Sequence, residues 1–196
     1  MVLVVSSGGL VAALHLISDL DPASHRLSEY ATGPGGWLMV AAFLALGAGV
    51  ATLGWAISTT GDDWRTKAVA IALSAAGAAT VVAGLFHTDP GAASAAEAIH
   101  ARASGAATLA VVGAALLWSL RGGSEWGRRL GLLAMGSAVF AVLSALLHET
   151  AMTGLSQRVL WLALLTWLVA AALALETPGR PGEKAQDRRG VAAELP

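Results

Sequence analysis

Cysteine is absent from the 196 residues, which removes disulfides, thiolate catalysis and Cys-based zinc sites together. Charge is scarce: Asp, Glu, Lys and Arg make up 13% of the chain, against about 25% in a soluble domain. The net charge is -1, so no basic field is present to recruit nucleic acid. No proline interrupts a long apolar stretch.

What is present is apolar, 56% by residue, and it is gathered into uncharged runs divided by short polar segments. That pattern belongs to a polytopic membrane protein. The runs do not alternate at period two, and backbone groups in lipid must be satisfied within the segment, so helices follow. The expectation is an all-α bundle of six transmembrane helices, with spans at about 2–18, 37–60, 68–87, 102–120, 129–148 and 158–175. Together these form a domain over residues 1–176. The first run starts next to Met1 and lacks the positive charge of a signal peptide, so it reads as an uncleaved span. Residues 177–196 are charged, with Pro and Gly and no apolar face, and read as a disordered tail. Small residues recur at four-residue spacing, Ala72, Ala76, Thr80 and Gly84 on the third run and Ala41, Ala45 and Gly49 on the second. Such stripes allow close helix approach. Trp37, Trp118 and Trp161 fall near predicted interfaces and read as belt anchors.

Lys and Arg give the orientation. Nine follow the second, fourth and sixth spans, from Arg65 to Arg189, and three follow the others, Arg26, Arg102 and Arg158. The positive-inside rule then places both termini in the cytoplasm. On that map all five histidines fall on the outer side, together with Asp19, Asp21, Glu29, Asp89, Glu97 and Glu149. Ionisable groups at membrane depth are costly and tend to mark functional sites.

The clusters carry alternative readings. His15, Ser18 and Asp19 form H-x-x-S-D; on a continuing helix His15 and Asp19 stand one turn apart, or the pair is an ordinary helix end. Asp89-Pro90 after His87 suits an N-cap and first helical residue. Asp21-Pro22 suits the start of a short helix ending near Gly33, with His25 and Glu29 one turn apart on it. Glu97 and His100 share a helical face at i, i+3, a spacing that carboxylate-bound metal sites use. His148-Glu149 opens the fifth loop and Gln157-Arg158 closes it. Arg158 sits against the charge rule, so it pairs with an outer carboxylate or a lipid phosphate, or snorkels to the headgroups.

Three segments carry a resemblance: Leu27-Ser28-Glu29-Tyr30-Ala31-Thr32-Gly33-Pro34-Gly35-Gly36-Trp37-Leu38, then Phe86-His87-Thr88-Asp89-Pro90-Gly91 with His100 downstream, then Gly154-Leu155-Ser156-Gln157-Arg158. In order and over nearly the whole chain, they resemble the bacterial six-span family known as domain of unknown function 998. This chain has His87 where that family usually has Pro. The resemblance implies the fold and no activity.

Two function classes follow, beside a plainer reading in which the polar face only staples the loops together. His15, His87, His100 and His148 are candidate metal ligands, since three imidazoles and an open position make zinc-bound water a nucleophile. Asp19 and Asp89 would then be candidate catalytic groups, and Ser18, Glu29, Glu149 and Arg158 would bind a lipid or envelope substrate in the bacterial plasma membrane. The alternative is non-enzymatic binding of a lipid or ligand, or pH sensing, by the same face. No P-loop, Rossmann, G-x-S-x-G or H-E-x-x-H motif is present. A transporter ranks last, because no span carries a charge near its centre.

Overall fold

The computed structural model describes residues 1–86, 94–120, 125–146 and 152–176. His87, Asp89, His148, Glu149 and the tail 177–196 lie outside these. The described regular structure is helical throughout: α1 Val2–Ile17, a 3-10 segment Leu27–Thr32, α2 Gly36–Ser58, α3 Trp64–Leu85, α4 Ala95–Ser119, α5 Glu125–Leu146 and α6 Thr153–Glu176. Helices α2, α3, α4 and α6 are long and apolar enough to cross a membrane. Helix α1 is apolar but has 16 residues, which at about 1.5 Å each reach roughly 24 Å of a hydrocarbon core of about 30 Å. Large apolar side chains stand exposed around the bundle, such as Ile71 on α3 at 69% and Leu109 on α4 at 71%. A water-facing surface rarely tolerates patches of that kind, and the chain is a membrane protein.

Several helices begin earlier than the charge-free runs, because polar caps start them. Ser94 Oγ accepts from the Glu97 N–H at 3.1 Å, so Glu97, His100 and Arg102 are part of α4. Asp63 accepts from the N–H groups of Arg65 and Thr66, both at 3.1 Å, and starts α3 at Trp64. Helix α6 likewise takes in Gln157 and Arg158.

Consecutive helices pack side by side, most extensively α2 with α3, and α6 returns to touch α1, α2 and α4. The α2–α3 seam depends on missing side chains. A Cβ at Gly77 would sit 2.5 Å from the Gly47 carbonyl oxygen, and one at Gly54 2.8 Å from that of Ala70. Of the expected stripes, Ala76, Thr80 and Gly84 are buried. Gly49 instead faces α1, at Val4. One apolar core centres on Leu53, Val69, Leu73 and Trp167, and a second on Leu14, Leu27, Tyr30 and Met39. The second lies under the end that carries His15, His25 and His100.

Candidate functional site

The loop between α1 and α2 is shaped by α6, which lies far away in sequence. A continuous helix after Pro22 would pair the Leu27 N–H with Ala23 O and the Glu29 N–H with His25 O. Instead the Leu155 N–H donates to Ala23 O at 3.0 Å, and the Leu27 N–H donates to Gln157 Oε1 at 2.7 Å. His25 O accepts from Arg158 Nη1 at 2.7 Å. The expected helix from Pro22 to Gly33 is therefore broken into a turn and the 3-10 segment, with Arg26 extended between them. Gly154 makes the approach feasible, since a Cβ there would collide with the carbonyl oxygens of Pro22 and His25.

Arg158 is the centre of this clasp. Its Nε donates to His15 Nε2 at 2.9 Å, Nη1 also donates to Gly154 O at 2.9 Å, and Nη2 donates to the Tyr30 hydroxyl at 2.8 Å. His15 Nδ1 donates to Val11 O at 2.8 Å, which leaves Nε2 as the acceptor that Arg158 needs and fixes the neutral imidazole. The His15 ring meets Tyr30 edge-on, with centroids 5.1 Å apart. The described partners of Arg158 are thus neutral oxygens and an imidazole, and no outer carboxylate is among them. A half-buried guanidinium is tolerated because most of its N–H groups are engaged.

His100 belongs to a separate network. It is 6% exposed, and its Nδ1 lies 2.8 Å from Ala83 O and 2.9 Å from Phe86 O. The imidazole therefore serves carbonyls at the C-terminal end of α3 that have no helical partner among the described residues. Nε2 faces Ser104 Oγ at 3.4 Å, and the ring stands edge-on to Phe43.

His100 also lines a cavity of 340 Å³ bounded by α1, α2, α3, α4 and α6. Arg26, Ser28, Glu97 and Gln157 stand at its polar end. Its α4 wall carries Glu97, His100, Ser104 and Thr108 at spacings of three and four residues, while the α6 wall carries Leu160, Leu164 and Leu168. One side therefore offers hydrogen bonds and the facing composition is aliphatic. Trp161, expected at the membrane interface, is half-buried in this wall, whereas Trp37 is 71% exposed as a belt residue would be.

The other candidates have local roles. Helix α1 ends at Ile17, so Asp19 is not one turn above His15; it is exposed, beyond the extended Ser18. Ser18 Oγ accepts from the Leu20 N–H at 3.2 Å. Glu29 lies half-buried in the first turn of the 3-10 segment. Asp21 accepts from the Ser24 hydroxyl at 2.7 Å and the Ala23 N–H at 3.1 Å, and the Ser24 hydrogen bond chiefly holds its carboxyl below the usual aspartate range. Among the described residues, no three His, Asp or Glu side chains converge closely enough to hold a metal ion. Sequence reasoning passed over Arg26, Ser7, Ser104 and Thr108 as cavity residues; the E-x-x-H-x-x-x-S-x-x-x-T periodicity on α4 was the available signal for two of them.

No curated protein and no solved structure matches this chain. A family model does match, over residues 2–174, and the chain belongs to the family described as Protein of unknown function (DUF998).

Proposed function

We propose that this is a six-span protein of the bacterial plasma membrane, with both termini cytoplasmic, that binds a lipid-like amphiphile at its extracytoplasmic face without turning it over. The observation that carries this reading is the cavity, which runs from a rim with Arg26 and Gln157 to a wall of leucines. Mostly apolar pockets with a few placed polar groups are the usual form of a small-molecule site. The excess of Lys and Arg on the opposite side supports the orientation.

Zinc-assisted hydrolysis at the same face is less well supported. To ligate through Nε2, His15 would have to release Arg158, and among the described residues no three His, Asp or Glu side chains gather into a metal-sized group. The discriminating experiment is thermal unfolding of the detergent-purified, untagged protein with added membrane lipids, alongside elemental analysis. Stabilisation by a subset of lipids, without a stoichiometric transition metal, is expected. Stoichiometric zinc with no lipid effect would overturn the reading.

A further inference from the structure

Ser7 lies in the middle of α1, is 1% exposed and lines the cavity. Serine and threonine within a helix commonly turn their hydroxyl back to the carbonyl four residues earlier. Thr52, Thr80, Ser119 and Thr166 all do so here, at 2.7–2.8 Å. The Ser7 hydroxyl makes no such bond and has no partner among the described residues. A buried hydroxyl without a partner is costly, so a polar atom at this depth calls for a reason. Thr108, half-buried in the α4 wall of the same cavity, is also without a side-chain partner among the described residues.

Depth and volume limit what can meet these groups. Ser7 is ten residues from the end of α1, about 15 Å along the helix. At 340 Å³ the cavity is at the small end of ligand pockets, which run about 300–1,000 Å³. That size suits one acyl chain better than two. At the rim, the Arg26 guanidinium and the Gln157 amide N–H groups have no partner among the described residues, since only Gln157 Oε1 is used, by Leu27. Glu97 is already engaged. The unengaged rim groups are donors, and they suit an acceptor such as a carboxylate.

We propose, building on the amphiphile-binding reading above, that the ligand is a single-chain acid bearing a second hydrogen-bonding oxygen, a hydroxyl or carbonyl, partway down its chain at Ser7. The acid end rests on Arg26 and Gln157, and the inner oxygen meets the Ser7 hydroxyl.

Calorimetric titration of the full chain in detergent tests this with two probes: a fatty acid carrying a mid-chain hydroxyl, and its unhydroxylated parent of equal length. The hydroxylated acid should bind about tenfold more tightly, the worth of one buried hydrogen bond. Ser7→Ala should erase that preference and leave the parent acid's affinity within about twofold. Arg26→Gln should weaken both acids alike, and the methyl ester of the hydroxylated acid should bind as weakly to the wild type as the acid does to Arg26→Gln. Equal affinity of both acids for the wild type overturns the inference but leaves the amphiphile reading standing. No binding by either acid or the ester overturns the inference, and the lipid-stabilisation experiment separately decides the broader reading. The wild-type comparison stands even if a variant fails to fold.

Discussion

At the end of the bundle that carries Arg65 and Lys67, three of the contacts are local or exposed. Asp63 caps its own helix, Lys67 meets Asp62 at 3.3 Å in solvent, and Arg65 reaches Leu120 O at 3.3 Å. At the end that carries the histidines, Arg158 and Gln157 of α6 bind groups more than a hundred residues away in sequence, in half-buried surroundings. These three contacts at the first end close turns and helix ends. The second uses polar groups to hold a loop over α1 and to wall a cavity, which is where membrane-depth polarity becomes worth its desolvation cost.

The largest effect should come from removing the clasp. Arg158→Leu leaves His15 Nε2, the Tyr30 hydroxyl and two carbonyls without their donor, so a loss of about 3 kcal/mol or more is expected in reversible unfolding. Arg158→Lys should recover little, because an ammonium lacks the planar fork. Next comes Gly154→Val, which pushes the Pro22 and His25 carbonyls away, and Gly77→Val on the α2–α3 seam, each costing about 1–3 kcal/mol by overpacking. These two separate by readout: Gly154→Val should also raise hydrogen exchange in residues 18–32, whereas Gly77→Val should leave that segment unchanged. Asp62→Ala, which removes an exposed ion pair, should leave the unfolding midpoint unchanged.

A further small effect is a pH dependence. The Asp21 carboxyl sits below 3.8 in the folded chain through its hydrogen bonds to Ser24 and Ala23. Its contribution is present above that pH and fades as pH falls through the lowered value. Asp21→Asn should therefore flatten stability only in that acid range, as unfolding midpoints against pH would show.

The all-helical membrane character was legible from the uncharged runs, and four of the described helices are long and apolar enough to cross a membrane. His15, His25 and His100 do share one end. What could not be read was the conformation of residues 18–32, because its hydrogen bonds are taken over by Leu155, Gln157 and Arg158. The cavity was hidden for a similar reason: its wall is assembled from single faces of five helices, each of which looks merely apolar or Ala-rich alone. The absence of native cysteine makes the orientation easy to check. Ser24→Cys should react with a membrane-impermeant maleimide on intact cells, and Asp62→Cys only after permeabilisation.

The central claim is that a single-chain amphiphile occupies the space between α1, α4 and α6. Native mass spectrometry of the wild-type protein, released from detergent after extensive delipidation, tests it directly. One retained amphiphile per chain, lost in a Leu164→Trp variant that fills the cavity while Arg26 is left intact, is the predicted result. A bare protein mass in the wild type, or a retained lipid that persists unchanged in that variant, would contradict it.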